Sequence, residues 1–511
     1  MKLTGLLLFS SLVCIADSNF RFASYYGDHM VLQMAPSKAG IWGYAEVGAH
    51  ITVSLFKGLE PITKKAVWLN EDTAIWKVIL DPVSHGGPYW LLAQQHYKEE
   101  DTNITLHDIL FGDVWLCSGQ SNMEMTVSQI YNASKELSEA VNYPNIRLFT
   151  AALEASQTEL QDLAKVDLQW SVPTSGNLGH GDFSYFSAVC WLFGRYLSEK
   201  LQYPIGLVES SWGGTSVEAW SSKRALKNCG LSQSWNMETE RPFYGEAITG
   251  PCNSSILWNA MIHPLLNMTI KGAIWYQGEQ NTNMNTDLYN CTFPALIEDW
   301  RKSFHEGSEK ETERFFPFGF VQLSTYQKST QKDMFPEIRW HQTADYGYVP
   351  NPKMINTFMA VAMDLCDEQS PYGSIHPRDK QHVAYRLYLG ARAIAYGETD
   401  IAFQGPFPDT INISEAESCI YIIYDQDLLI TKLSEDVFEV FCKNEMIEDK
   451  YDWVPAPVMS VFSDIVIVSL KGCINVSGIR YAWSDWPCDY AQCPFYSIDG
   501  VLPAPMFLKY F

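Results

Sequence analysis

The sequence predicts an α/β protein, a parallel-sheet domain with a β domain on each side of it. Apolar runs at 114–117, 205–208, 272–276, 316–323 and 358–363 alternate with helix-like stretches at 123–141, 187–201 and 378–396. That strand-then-helix order suits a parallel sheet covered on both faces. Outside this region the pattern changes to short β-branched and aromatic runs punctuated by Gly and Pro, which read as strands. The expected divisions are 17–110 for the N-terminal β domain, 111–400 for the α/β domain and 401–511 for the C-terminal β domain.

Taken in order, residues 1–16 read as a secretory signal. Lys2 supplies the positive start, residues 6–14 an apolar core too short to span a bilayer, and Cys14-Ile15-Ala16 a small-residue exit, with cleavage near Ala16 or Ser18. Strands are then expected at 30–32, 39–43, 51–55 and 74–80. The alternation of Ile51, Val53 and Leu55 with Thr52, Ser54 and Phe56 gives the period of two of a half-buried strand. Beyond the α/β region, 419–424, 437–441 and 465–468 repeat that character. Polar stretches at 231–249 and 324–334 lack either periodicity and read as exposed loops or insertions. No later run reaches the roughly 18 apolar residues of a spanning helix, so no membrane anchor is expected.

The net charge of −23, from 59 acidic against 36 basic residues, excludes a phosphate-binding surface of clustered Lys and Arg, and with it a nucleic-acid partner. Seven Asn-x-Ser/Thr sequons, at Asn103, Asn132, Asn253, Asn267, Asn290, Asn412 and Asn475, fit a glycoprotein of the secretory pathway, lysosomal or secreted. Twelve cysteines less Cys14 leave 11, so at least one thiol is unpaired within the chain. Cys488 with Cys493 and Cys229 with Cys252 are candidate disulfides. No metal ligand set or phosphate loop is evident, and no cofactor is expected.

The chemistry centres on Gly119-Gln120-Ser121-Asn122, where the run 114–117 ends abruptly before a helix-like segment. Open α/β sheets place ligands at the carboxyl ends of their strands, so Ser121 is a candidate nucleophile. The second glycine of a Gly-x-Ser-x-Gly elbow is absent, a helix cap is the competing role, and Ser118 is a rival closer to the strand. A serine alcohol needs a base. His376 and His263 each precede a proline and so leave helical geometry; the residues alone do not choose between them, and Pro377 suits the first position of the following helix. Donors for an oxyanion are offered by Ser211-Trp-Gly-Gly-Thr215 and Trp275-Tyr-Gln-Gly-Glu279, each following a strand.

These segments, with Phe20-Arg-Phe-Ala-Ser-Tyr25, Phe111-Gly-Asp113, Leu257-Trp-Asn-Ala-Met-Ile-His-Pro264, Gly373-Ser-Ile-His-Pro-Arg-Asp-Lys-Gln381, Arg480-Tyr-Ala-Trp483 and Leu502-Pro-Ala-Pro505, resemble the sialate O-acetylesterases, carbohydrate acetylesterases of the SGNH-hydrolase superfamily. The resemblance implies an SGNH-hydrolase (flavodoxin-like) catalytic domain. It also implies a serine esterase that removes 9-O- and 4-O-acetyl groups from sialic acids, free or on glycoconjugates, through an acetyl-serine. It implies Ser121 as nucleophile, His376 rather than His263 as base, Gly213 and Gln277 as oxyanion donors, and Gln120, Asn259, His263 and Arg378 at the substrate pocket. Arg339 and Arg378 are candidate partners for the sialate carboxylate, with a surface salt bridge as the competing and favoured role for each. Many relatives carry Asp two or three residues before the histidine, where this chain has Ser374 and Gly373, so the third member is open. Glu279 is the candidate acid, Asp364 and Asp367 are alternatives, and a Ser-His dyad on a backbone carbonyl is the other reading. Gln280 stands where relatives usually have Ser. An acetylesterase for another polysaccharide, or a secreted glycan-binding protein without catalysis, are the competing functions.

Overall fold

The computed structural model describes residues 20–70, 72–231, 250–328, 334–434, 437–444 and 451–511. The leader expected at 1–16 and nearly all of the polar stretch 231–249 lie outside the described residues. The centre is a sheet of seven strands: β1 (Glu100–Gly119), β2 (Ile146–Ala151), β3 (Val166–Ser171), β4 (Ile205–Ser211), β5 (Gly272–Tyr276), β6 (Phe318–Gln322) and β7 (Thr357–Val361). They lie in the order β3-β2-β4-β1-β5-β6-β7, all parallel except β3, which pairs antiparallel with β2 at the edge. With the β2-β3 pair set aside, the remaining five follow the doubly wound order 2-1-3-4-5.

Five of these strands fall on the predicted apolar runs, and β2 and β3 are additions. Arg147 interrupts the apolar pattern of β2; it is buried because it donates to the carbonyls of Pro144 and His29 and to the Asp108 carboxylate. β1 extends well beyond the run 114–117, to 20 residues. Its first half pairs antiparallel with Gly86–Tyr97 in the N-terminal β region, and its second half enters the parallel sheet. One continuous core therefore runs from Phe20 through the central sheet. The C-terminal strands enclose a second core that also takes in Val361 and Met363.

The helix expected over 123–141 is broken into α1 (Ser121–Glu124), a 3-10 turn and α2 (Ala133–Glu139). Met125 and Thr126 are extended, Thr126 and Gln129 form a reciprocal capping box, and Asn132 is left-handed at φ 58°. The other two helices form close to expectation as α3 (Ala188–Leu201), capped by Ser187, and α4 (Lys380–Ile394). Asp379 caps α4 through the His382 N–H, so Pro377 precedes the helix instead of opening it. Of the segment 324–334, residues 329–333 lie outside the described residues; of the rest, Ser324 and Thr325 are buried and the Tyr326 carbonyl accepts from Ser374, so it is not uniformly exposed.

Disulfides join Cys117–Cys190, Cys229–Cys291, Cys442–Cys473 and Cys488–Cys493, leaving Cys252, Cys366 and Cys419 as thiols. The expected Cys488–Cys493 bridge forms. Cys229 takes Cys291 instead of Cys252, because its helix (Lys223–Asn228) packs on the helix carrying Cys291. Cys117–Cys190 fastens β1 to α3 directly beneath the serine turn. Four sequon asparagines, Asn103, Asn132, Asn412 and Asn475, are exposed; Asn253, Asn267 and Asn290 are half-buried, and Asn290 is bonded to Asp345. Among the described residues no helix is long and apolar enough to cross a membrane.

Candidate active site

Ser121 is the first helical residue after the carboxyl end of β1, at the strand where the sheet's winding reverses. The turn is forced by close approach. Gly119 has φ 143°, and a Cβ there would stand 2.1 Å from the Tyr276 carbonyl oxygen, so only glycine lets β1 and β5 meet at this point. Met123, Glu124 and Met125 close the short helix, while the Ser121 N–H has no acceptor among the described residues.

The loop after β7 brings His376 to this serine, with Nε2 at 2.8 Å from the Ser121 hydroxyl oxygen. Nδ1 lies 2.6 Å from the Tyr372 carbonyl, which fixes it as the protonated nitrogen and leaves Nε2 as the acceptor. Phe183 meets the imidazole edge-on with ring centroids 5.3 Å apart. Burial pushes the imidazole pKa down to about 4, the bond to the Tyr372 carbonyl opposes this, and the Lys380 ammonium adds to the depression. His376 is thus neutral, the form that accepts a proton.

None of the three candidate acids touches His376. Asp364 is held by Arg386 at 2.6 and 2.8 Å, and Asp367 by Arg378 at 2.7 and 3.0 Å. Glu279 accepts from the Asn122 amide at 2.5 Å. The same amide donates to the Ile375 carbonyl at 2.9 Å, and the Asn122 carbonyl oxygen accepts from Lys380 at 2.7 Å. Asn122 therefore ties the serine turn directly to the residue before His376 and bridges a buried carboxyl and a buried amine. Burial raises the Glu279 carboxyl and lowers the Lys380 ammonium to about 7.

Of the expected oxyanion donors, Gly213 lies against Ser121, where an added Cβ would be 3.2 Å from the serine Cβ. Its N–H donates to Glu124 at 2.6 Å. Gln277 does not face the serine: its amide donates to the Thr215 carbonyl and to Asn281, and its oxygen accepts from Tyr289. Ser118 is fully buried inside β1 and is no rival. Gln120 accepts from the Gly278 and Gln280 N–H groups, Asn259 donates to the Ser156 carbonyl, and His263 bonds the Leu160 carbonyl beside Glu159. These three, with the Arg378–Asp367 pair, hold the loops around the site by contacts already made. Arg339 is wholly buried and donates to the carbonyls of Leu323, Ser324, Ser484 and Asp485, so it is neither a surface ion pair nor open to a ligand. A cavity of about 240 Å³ lies beside the site, lined by Glu124, which holds Gly213, by Phe183, which meets His376, and further by Glu154, Asp167, Tyr185 and Glu209.

Residues 111–370 match the family described as carbohydrate esterase, sialic acid-specific acetylesterase, and residues 409–511 match the sialate O-acetylesterase C-terminal domain. The chain is 53% identical over 525 residues to sialate O-acetylesterase of Mus musculus, with 98% of this chain and 96% of the relative covered. The chain belongs to the sialate O-acetylesterase family. The Homo sapiens member is 54% identical over 497 residues, covering 97% of this chain and 93% of its own. A solved carbohydrate acetylesterase from Xanthomonas citri shares the architecture, with TM-score 0.76 and 26% identity over 96% of this chain and 99% of that one. The sequence did not single out four features within this family site. The Tyr372 carbonyl is backbone and leaves no side-chain signature, whereas Asn122 and Lys380 sit inside the quoted motifs and Glu124 follows the serine motif closely.

Proposed function

We propose that this chain is a serine esterase hydrolysing O-acetyl esters of sialic acids through an acetyl-serine on Ser121, with His376 as the base. The observation that carries the reading is the 2.8 Å contact between the Ser121 hydroxyl and His376 Nε2 at the mouth of the sheet. The family's description supplies the sialic acid; a substrate free or on a glycoconjugate, with the ester at the 9-O or 4-O position, is our reading. The fold we assign is the SGNH-hydrolase type, in keeping with the 2-1-3-4-5 order, and the divisions we propose are 17–110, 111–400 and 401–511. The disulfides and the exposed sequons suit passage through the secretory pathway to lysosome or exterior.

In the first step the Ser121 proton passes to His376 Nε2 as the oxygen attacks the acetyl carbon. The oxyanion forms next to the Ser121 and Gly213 N–H groups. The sugar alcohol leaves with the proton from His376, and water, deprotonated by the same imidazole, then releases acetate and restores the serine. The Tyr372 carbonyl takes the place of a carboxylate in orienting the ring, so the catalytic unit is a dyad. The test is acetate release from O-acetylated sialic acid by Ser121→Ala and His376→Ala proteins. Loss of nearly all activity in both is expected, and parent-like turnover in either folded variant refutes the reading.

A further inference from the structure

Gly213 offers its N–H next to Ser121, yet a carboxyl group already occupies it. Glu124, three residues after Ser121, places Oε2 2.6 Å from the Gly213 nitrogen. A Cβ on Gly213 would lie 3.0 Å from that oxygen and 3.2 Å from the Ser121 Cβ, so the carboxyl, the Gly213 backbone and the nucleophile share one tight space. An oxyanion on Ser121 and an ionised Glu124 would compete for a single hydrogen bond and repel each other at short range.

We propose that Glu124 is a positioning residue of the oxyanion hole, which holds the Gly213 N–H in place and yields it to the substrate carbonyl oxygen only as a neutral carboxylic acid. This rests on the Ser121 and Gly213 assignment above. The cavity beside Glu124 is lined also by the acidic Glu154 and Asp167, by Tyr185 and Lys165, and by Glu209 on β4. The Glu209 oxygens are taken by the Ser187 N–H and the Ser211 hydroxyl. Ser121 and the neutral His376 lie on the near side. Burial pushes the Glu124 carboxyl up to about 7, against the opposing pull of the Gly213 N–H. Above that pH the group ionises and the donor is withheld; one pH unit higher leaves about a tenth of the enzyme protonated, hence a kcat/KM about tenfold below that of the fully protonated enzyme.

The test compares kcat/KM against pH for the parent and Glu124→Gln, whose amide still accepts from Gly213 and cannot ionise. The parent is expected to lose about fivefold across the unit above neutrality, and E124Q to lack that fall. Lys380, lowered to about 7 on the other side of the serine turn, titrates in the same range; a fall that persists unchanged in E124Q belongs elsewhere and overturns the proposal. Should E124Q not fold, inhibition of the parent by methylboronic acid decides, because its tetrahedral Ser121 adduct puts an oxygen in the oxyanion position. Its affinity is expected to weaken about fivefold over the same interval, and an affinity that does not change with pH overturns the proposal. Activity surviving in S121A would sink the nucleophile assignment itself, a distinct outcome.

Discussion

Replacing Asn122 by Ala should damage stability and catalysis together. The side chain makes three hydrogen bonds, to Glu279 at 2.5 Å, Lys380 at 2.7 Å and the Ile375 carbonyl at 2.9 Å. Lys380 is fully buried and Glu279 is 3% exposed, with one Glu279 oxygen already lacking a partner. Hydrogen bonds to charged groups contribute about 1.5–3 kcal/mol each, and stripping the partner from a buried charge costs about 3–5 kcal/mol. Direct re-pairing of Lys380 with Glu279 recovers part of this, so a loss of about 3 kcal/mol is expected. The Ile375 carbonyl immediately precedes His376, and freeing it lets the imidazole drift; a displacement of about 1 Å costs on the order of 100-fold in rate. Urea denaturation and steady-state acetate release measure the two effects. Asn122→Asp should not rescue, since it keeps an acceptor for Lys380 but has no hydrogen for Ile375 or Glu279. A parent-like denaturation midpoint with parent-like kcat in Asn122→Ala would refute the tether.

Four further outcomes follow from the structure. The acid limb of kcat/KM should fall through about pH 4, where His376 protonates, and not through 6.5; a limb at the ordinary histidine value would contradict the burial argument. By linkage, the unfolded chain binds this proton first as pH drops, so the His376 contribution to stability is complete above 6.5 and lost as pH falls towards 4. Replacing Cys117 and Cys190 together by Ala opens a bridge with a sequence separation of 73 and should cost about 4 kcal/mol, read by urea denaturation; no change would mean the β1–α3 packing suffices without it. Arg339→Met removes donors from four buried carbonyls that join the helix Met334–His341 to the C-terminal region, and should destabilise the chain by on the order of 3 kcal/mol in the same assay.

The strands that carry the site were legible because they are buried on both faces, and continuous apolar runs such as 205–208 and 272–276 have few other uses in a chain of this length. β2 was hidden by Arg147, whose charge is absorbed by carbonyls and by Asp108 from distant parts of the chain. The helix after Ser121 was overextended because periodicity does not register the Thr126–Gln129 cap or the left-handed Asn132. At the site, residue types pointed to Ser121 and His376, which the fold brings together across 255 positions. They misdirected at Glu279 and Gln277: an acid and an amide next to a nucleophile invite a catalytic role, but long-range partners, Asn122 for one and Thr215, Asn281 and Tyr289 for the other, use their polar atoms. Glu124 was invisible for the converse reason, since its significance lies in the approach of Gly213 from a separate strand end.

Covalent labelling by a fluorophosphonate tests the dyad most directly, because phosphonylation requires the same activated oxygen as the ester reaction. The account predicts a single label on the peptide containing Ser121, formed by the parent and by neither Ser121→Ala nor His376→Ala. Labelling of His376→Ala at the parent rate, or of a different serine, would contradict it.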